Sequence, residues 1–439
     1  MANINDWLTI DKIYGSGNAT LTASVKQNTT NSERTQVLKF KTQTKEVLVS
    51  IKQSGFVYET SVSPSATFEE DWRGSFRKEA TESHIRDYRK TITITTNATG
   101  TITGEYVTEE VDGYRWFSVS PKNTINPSTN KVEKDYTILS FEIHMNPNNI
   151  TREGQYNVIE TLNGVETVLV TLTIRQGGNP YENNIIYTDG NSVSGSTFTA
   201  PSSVARSNVG KNRAAIAYDK TLTEIEEGAL RGVSVNTTVE IPTTVKKVCA
   251  NAFNFVSEID GSTGMANFTT LIGGENIEIV EERAFLGCIA MEKYPFDKNV
   301  HTLGAYAFDG NYSLKEWEFN PNLEEIPMYC FNATGIEEID LTNTQVHTIG
   351  TGSFGTVPSG GVVKLPSTLT KLGSGSFDML DGSILRCYML IPPSISEQSF
   401  SINSRSRSWT IYYPCGSNYD EWETVLTQYY PSVTILADC

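Results

Sequence analysis

The chain lacks any excess of basic residues and any long apolar run. Its 439 residues hold 35 Lys and Arg against 51 Asp and Glu, which gives a net charge of −16. Nucleic-acid binding requires a basic surface, so this balance excludes nucleic acid from the expected partners. No apolar stretch approaches the roughly 18–20 residues that span a bilayer, so we expect no membrane insertion. Residues 1–7 show neither the basic start nor the apolar segment of a signal peptide.

The sequence also lacks the motifs of catalytic and metal sites. All six cysteines lie between Cys249 and Cys439, and none forms C-x-x-C or has a His at metal-ligand spacing. Their pairing as disulfides is left open. The G-x-G-x-x-G match at residues 350–355 lacks the flanking strand and helix that a dinucleotide site requires. We therefore expect no enzymatic activity, no cofactor and no metal.

A short sequence motif recurs eight times in the C-terminal half. It consists of an aliphatic residue, three residues of any type, a small residue and then usually Phe. Six of the seven intervals between copies are 23 residues long, and the interval from Phe253 to Phe285 is 32 residues and carries an insertion. A fixed period in this range predicts a solenoid, in which each unit buries its apolar face only against its neighbours. The copies end at Leu230, Phe253, Phe285, Phe308, Phe331, Phe354, Phe377 and Phe400.

Each repeat also contains a short strand in which inward aliphatic residues flank one outward polar residue, as in Val239-Glu240-Ile241. Such strands are expected to form a parallel ladder. We predict that the outward residues of this ladder, or the insertion region 254–284, carry any partner contact of the solenoid. The alternative is that the solenoid is a spacer whose faces contact only solvent. The outward residues are Glu240, Glu318, Asp340 and Lys364.

The N-terminal half alternates apolar and polar residues with period two, which is typical of half-buried strands. Asn163-Gly164 predicts a tight hairpin. Two segments match each other, because each opens a strand with Trp, at Trp7 or Trp116, and closes one at Gln53 or Gln176. This indicates a tandem β-sandwich duplication. At the other end, residues 420–429 predict a short helix with Trp422 and Leu426 inward.

On these residues the chain resembles two known families. Trp7, Gly15-Ser16-Gly17, Asn28 with Arg34, and Gln53 resemble the BACON family of immunoglobulin-like modules. The repeat is similar to the BspA-type leucine-rich repeat, with the pattern I-P-x-x-V-x-x-I-G-x-x-A-F. The resemblance implies a mainly β protein with two immunoglobulin-like β-sandwiches followed by a leucine-rich-repeat solenoid.

The implied domains are a partial BACON-like sandwich at 1–55 and a BACON-like sandwich at 56–178. A linker and N-terminal cap at 179–219 lead to the solenoid with its C-terminal cap at 220–439. Carbohydrate binding, for which the BACON family was named, needs exposed rings that stack on sugars. The candidates are Trp72, Tyr106 and Tyr114, and the alternative for such rings is core packing.

The resemblance implies a non-enzymatic, multi-domain binding protein. BACON modules occur in crAss-like phages of Bacteroidales, and no leader is visible. We therefore predict a virion protein, as a fibre, decoration or adaptor, that attaches to a host-surface protein or glycan. The first alternative is a secreted or cell-surface BspA-like adhesin whose leader has been removed. The second is a glycan-binding accessory protein of a Bacteroidales bacterium.

The first sandwich is expected to have an open sheet edge, because residues 1–55 hold only about half of a BACON module. An open edge pairs with another strand. Residues 56–90 could fold back and supply it. We predict instead that another virion protein or a second copy of this chain docks there, which makes the N-terminus the attachment end and the solenoid distal.

Overall fold

The computed structural model confirms the predicted fold class. The residues that it describes are mainly β, with a solenoid of about eight turns in the C-terminal part. They contain one α-helix, α1 (Asp420–Tyr429), and 3-10 turns at Asp297–Asn299 and Ile402–Ser406. The described residues are 2–5, 8–10, 23–26, 33–41, 46–53, 59–77, 86–110, 114–189, 202–231, 238–254, 268–400 and 402–439.

The N-terminal residues form two small antiparallel sheets. In one of them, Leu8 lies opposite Val25; in the other, Leu38 lies opposite Val49. Their common core is small, with Leu8 and Leu38 buried and Ile51 packed against them. Trp7, residues 15–17 and Asn28, which carry part of the BACON resemblance, lie outside the described residues. The strands are β1 (Ala2–Asn5), β2 (Leu8–Ile10), β3 (Ala23–Val25), β4 (Arg34–Lys41) and β5 (Glu46–Gln53).

Two four-stranded sheets then face each other, in the orders β12-β13-β10-β6 and β11-β14-β15-β7. Phe117, Phe141 and Tyr156 lie in the buried core between them. The predicted hairpin is confirmed, because Asn163 and Gly164 both have positive φ, as a primed two-residue turn requires. The strands are β6 (Thr60–Ser63), β7 (Thr67–Glu70), β8 (Phe76–Arg77), β9 (Arg86–Asp87), β10 (Lys90–Thr96), β11 (Thr101–Tyr106), β12 (Phe117–Ile125), β13 (Val132–Ile143), β14 (Arg152–Leu162) and β15 (Val165–Gln176).

The remaining strands are short and build the cap and the solenoid. Strands from successive repeats pair in parallel, as Ile326 with Ile349 and Asp340 with Lys364. They are β16 (Ile185–Asp189), β17 (Ala205–Gly210), β18 (Arg213–Ala217), β19 (Glu224–Ile225), β20 (Thr238–Glu240), β21 (Lys247–Val248), β22 (Thr270–Ile272), β23 (Ile279–Val280), β24 (Thr302–Leu303), β25 (Glu325–Ile326), β26 (Glu338–Asp340), β27 (Thr348–Ile349), β28 (Thr356–Val357), β29 (Val362–Leu365), β30 (Lys371–Leu372), β31 (Asp378–Met379), β32 (Ile384–Cys387), β33 (Thr410–Pro414) and β34 (Thr434–Asp438).

One sheet joins the second sandwich to the solenoid. Its order is β22-β20-β16-β18-β17-β8-β9, so strands from both sides and from the cap share backbone hydrogen bonds. Trp72 and Met145 of the sandwich pack with Ile185, Ala205 and Ala215 of the cap in a common buried cluster. The segment that the sequence predicted as linker and cap therefore folds, in its described part, as a packed junction.

The repeated Phe residues form a continuous buried stack along the solenoid. Phe285, Phe308 and Phe331 are fully buried, and their rings lie 5.4 Å apart from copy to copy in near-parallel orientation. The stack continues to Phe354 at 5.7 Å and to Phe377 at 5.2 Å. The Phe residues that recur every 23 residues thus form the buried core of a solenoid, as their period predicts.

The solenoid ends in a packed cap. Helix α1 buries Trp422 and Leu426, as the sequence pattern predicted. The last parallel sheet has the order β26-β29-β32-β33-β34. A disulfide joins Cys415, after β33, to Cys439, after the edge strand β34. The four other cysteines are free and buried.

Candidate functional site

The outward residues of the strand ladder do not lie on one continuous sheet. Glu240 belongs to the sheet shared with the cap, whereas Asp340 and Lys364 belong to the C-terminal sheet. Between them, residues 315–319 form no strand, and their backbone makes long hydrogen bonds of 3.4 Å from the Lys315 and Glu337 amides. Large inward rings, including Trp317, fill the space that aliphatic residues fill in the flanking strands.

Asp340 and Lys364 form the best-defined polar contact of this face. Lys364 Nζ lies 2.8 Å from Asp340 Oδ2 and 2.7 Å from Glu338 Oε1. Burial acts to raise the pKa of Asp340, but hydrogen bonds from Lys364 and Thr342 outweigh it and hold that pKa below its ordinary value. The hydrogen bonds that Lys364 donates raise its own pKa, with the bond to Asp340 having the largest effect and the bond to Glu338 the next largest.

In the structure, the row of outward polar residues continues beyond Lys364, the last one predicted from the sequence. Lys364 lies opposite Arg386 on β32, and Arg386 lies opposite Tyr412 on β33. The Arg386 guanidinium lies 4.5 Å from the centre of the Tyr412 ring and 2.9 Å from Asp438. The alignment of Leu385 with Val363 in the repeat could have revealed Arg386, because its neighbours follow the same inward–outward alternation.

Glu318 and Asp340 line one open groove of about 630 Å³, which we call the ladder groove. Its floor includes Trp317 and Phe319, each 7% exposed. Two lysines, Lys293 and Lys315, lie among six carboxylates. The carboxylates are those of Asp297, Glu316, Glu318, Glu337, Glu338 and Asp340.

Ion pairs leave carboxylates in excess in the ladder groove. Lys298 pairs with Glu318 at 2.7 Å, and Lys364 pairs with Glu338 and Asp340. Lys293 pairs with Glu316 at 3.5 Å. Lys298 and Glu318 are 64% and 65% exposed, so solvent screens their pair and it contributes little to stability. Lys298 is therefore held only weakly by Glu318, and the lining of the groove carries a net negative charge.

Glu240 lies at a different groove, at the junction of sandwich and solenoid. It forms an ion pair with Arg213, whose guanidinium lies 3.9 Å from the centre of the Tyr187 ring. The groove has a volume of about 500 Å³ and is also lined by Asn148 and Tyr181. Glu240 is thus separated from the other three predicted residues.

The three candidate stacking aromatics are packed by the protein itself. Trp72 is 8% exposed in the junction core. The Tyr106 ring contacts Phe117 and Tyr156 on the sandwich side, and the Arg115 guanidinium lies 3.7 Å from its centre. The Trp72 ring is therefore packed in a buried core, whereas a role of the half-buried Tyr106 ring as a sugar platform stays a prediction.

Tyr114 is held at the junction by hydrogen bonds. Its hydroxyl donates to the Asn208 carbonyl at 2.7 Å, and His144 Nδ1 lies 2.9 Å from the same oxygen. The ring stacks on His144, and burial raises the pKa of Tyr114. This side chain ties the sandwich to the cap instead of facing solvent.

No cofactor or metal arrangement emerges from the described residues. Within them, no group of three or more His, Cys, Asp or Glu side chains is placed to hold a metal ion. Within the same residues, no helix has the length and apolar character needed to cross a membrane.

Comparison with protein families matches two parts of the chain. Residues 2–54 match BACON, an N-terminal binding domain. Residues 209–271 and 262–384 match the BspA type leucine rich repeat region, in six copies. The chain carries a BACON domain followed by BspA-type leucine-rich repeats. This combination is that of a surface or adhesin-like binding protein, and neither family is an enzyme family.

Comparison with curated proteins gives no match. Among solved structures, the pneumococcal vaccine antigen PcpA is 14% identical over 67% of this chain and all of that one, with a TM-score of 0.24. A leucine-rich repeat protein from Bacteroides ovatus is 13% identical over 53% of this chain and 90% of that one, with a TM-score of 0.18. Superpositions this poor carry no argument about function.

The BACON-like marks of the second sandwich form one hydrogen-bonded cluster. Arg152 Nε donates to Gln176 Oε1 at 2.8 Å, and its guanidinium lies 4.3 Å from the centre of the Trp116 ring. Gln176 Nε2 donates to the carbonyls of Asp71 and His144 at 3.0 Å. Burial lowers the pKa of Arg152 to about 10. Trp116, Arg152 and Gln176 therefore hold the strand ends together and form no exposed binding site.

Proposed function

We propose that this BACON and leucine-rich-repeat chain is a non-enzymatic attachment protein whose solenoid binds a positively charged protein segment in the ladder groove. The observation that carries the proposal is the excess of carboxylates around an open groove with an aromatic floor. Charge complementarity of this kind steers association and selects partners. The exposed, weakly held pair of Lys298 and Glu318 leaves a carboxylate available to the partner.

Adhesion of the full-length chain to Bacteroidales cells tests the proposal. The test variant combines Glu318→Lys with Asp340→Lys, and the matched control combines Glu324→Lys with Glu325→Lys. The control pair is exposed, lies outside the groove and changes the net charge equally. We expect the test variant to lose adhesion and the control to keep it. Equal adhesion of both variants and the unchanged chain would favour the spacer alternative.

We propose the N-terminal module as the attachment end. Its hairpin β4–β5 pairs with no further strand among the described residues. Val37 and Leu48 lie on the hairpin face opposite Leu38 and are 51% and 62% exposed. Exposed apolar side chains beside open edges suit a docking strand from another virion protein, or from a second copy of this chain.

The fold-back alternative for this module finds no support in the described residues. There, β6 pairs with β10, β7 pairs with β15, and β8 pairs with β9 and β17. Deletion of residues 1–55 is expected to abolish incorporation into particles while the solenoid still folds. Normal incorporation of the shortened chain would move the attachment end elsewhere.

The disulfide between Cys415 and Cys439 supports a location outside the reducing cytosol, because such bonds persist in oxidising surroundings. A released virion and a secreted or cell-surface adhesin both meet this condition. The virion role rests on the family resemblance to phage proteins. Mass spectrometry of purified phage particles tests it, and recovery of the chain only from bacterial outer surfaces would select the adhesin.

A further inference from the structure

One position of the repeat, two residues before the conserved Phe, adopts a left-handed backbone in seven successive copies. Glycine takes this conformation without strain, whereas a side chain raises the conformational free energy. The tyrosines at this position, Tyr306 and Tyr329, are therefore not explained by the fold alone. Strained residues of this kind concentrate at functional sites. The seven φ angles are 67° at Gly228, 57° at Asn251, 55° at Arg283, 59° at Tyr306, 53° at Tyr329, 62° at Gly352 and 58° at Gly375.

The side chains at this position form an outward stack that stops at Tyr329. The Arg283 guanidinium lies 5.1 Å from the centre of the Tyr306 ring, and Tyr306 stacks on Tyr329 at 5.1 Å with a 17° angle. The next two copies are Gly352 and Gly375, which have no side chain. A Cβ on Gly352 would clash with the Tyr329 ring. A Cβ on Gly375 would have no atom within 4 Å.

A groove of about 570 Å³ opens where the stack stops, and we call it the turn groove. Tyr329, Glu397, Gln398 and Arg405 are among the residues that line it. Arg405 Nη2 donates to the Glu397 carbonyl at 3.1 Å, while its Nε is buried without a partner. The volume lies within the range of about 300–1,000 Å³ that is usual for small-ligand sites.

The polar groups of the turn groove come from separate repeats and converge on it. Asn332 is fixed by a hydrogen bond from its Nδ2 to Asp309 Oδ1 at 2.8 Å. The Asp378 carboxylate accepts a bond from Ser404 at 3.4 Å. Amide, carboxylate and guanidinium groups beside an aromatic wall offer both donors and acceptors to hydroxyl groups.

We propose that the turn groove binds a neutral pyranose saccharide. The Tyr329 ring provides an apolar surface for the C–H face of a sugar, and the surrounding polar groups match its hydroxyls. Arg405 lies 3.6 Å from the Glu397 carboxylate and pairs with it, so Asp378 leaves the groove with an excess negative charge. This charge disfavours phosphate, sulfate and uronate groups. The turn groove shares no lining residue with the ladder groove, so this site is independent of the proposed protein contact.

Calorimetric titration of the full-length chain with cellohexaose, maltohexaose, mannohexaose and xylohexaose tests the proposal. We expect at least one of these neutral hexasaccharides to bind. Tyr329→Gly removes the ring and relieves the left-handed strain, so the variant keeps its fold. It is expected to lower the affinity by about tenfold or more. No binding of any hexasaccharide would overturn the proposal.

A second variant fills the groove without changing its wall. Gly375→Asn places a side chain in the open space, and Asn251 already occupies the same repeat position with a similar φ. The matched control is Gly360→Asn, which has positive φ and equally open surroundings but lies outside the groove. We expect Gly375→Asn to lower saccharide affinity by about tenfold or more and the control to leave it unchanged.

Equal binding by the Gly375→Asn and Gly360→Asn variants would refute the site. The Glu318→Lys and Asp340→Lys double variant separates this proposal from the previous one. It is expected to bind saccharide normally while losing adhesion, so failure of either proposal leaves the other intact.

Discussion

Phe331 occupies the middle of the buried Phe stack, and Phe331→Ala is the sharpest test of the solenoid's energetics. The ring is fully buried. It lies 5.4 Å from Phe308, 5.7 Å from Phe354 and 4.9 Å from Trp317. Truncation of a buried Phe costs about 3–5 kcal/mol, and the cost is larger where the neighbours cannot collapse into the cavity. Rings on both sides belong to other repeats, so we expect a loss of about 4–5 kcal/mol.

Denaturant unfolding with hydrogen exchange read by mass spectrometry measures both the size and the spread of this loss. Because each repeat contacts only its neighbours, amides near Phe308 and Phe354 should lose protection most. The sandwich strands from Thr60 to Gln176 should keep theirs. Phe331→Leu is the matched control and should cost only about 1–1.5 kcal/mol. An alanine variant that unfolds at the wild-type denaturant concentration, or that loses protection evenly along the chain, would show that the Phe stack does not stabilise the solenoid repeat by repeat.

Three further predictions concern polar contacts and the disulfide. Asp340→Asn should lower the free energy of unfolding at pH 7 by about 1 kcal/mol or less, since the carboxylate is partly exposed. Because folding lowers the pKa of Asp340, this difference should vanish in pH-dependent melts as the pH falls through the folded-state pKa. Cys415→Ser should lower the free energy of unfolding by about 3 kcal/mol in non-reducing melts, because it opens a loop of 24 residues. Under reducing conditions the variant and the wild type should unfold alike, since both then lack the disulfide. Gln176→Ala should destabilise the second sandwich by about 2–3 kcal/mol in thermal unfolding, because it leaves buried carbonyls unpaired. A neutral result for Gln176→Ala would show that water replaces the amide.

The parts of the fold that depend on local periodicity could be predicted from sequence. The 23-residue period specified the Phe stack, because each repeat places the same residue type at the same radius of the solenoid. The turn at Asn163-Gly164 followed from the positive φ that a two-residue hairpin requires. Helix α1 followed from the spacing of its two inward residues, Trp422 and Leu426.

Features that arise from contacts between distant segments could not be predicted in this way. The break in the strand ladder depends on how rings such as Trp317 pack across repeats, which period alone does not show. The burial of Trp72 depends on the cap that covers it. The turn groove was missed because Tyr329 and Gly352 look interchangeable in a repeat until the shared left-handed φ is known.

The affinity of a fluorescent, lysine-rich peptide for the full-length chain shows whether the ladder groove binds a positively charged segment. Fluorescence anisotropy compares the wild type with the Glu318→Lys and Asp340→Lys variant and with the Glu324→Lys and Glu325→Lys control. We expect at least about a tenfold loss of affinity for the first variant and less than about a threefold loss for the control. Equal losses in the two variants would mean that net charge, and not the ladder groove, attracts the peptide, and the proposed binding site would then be wrong.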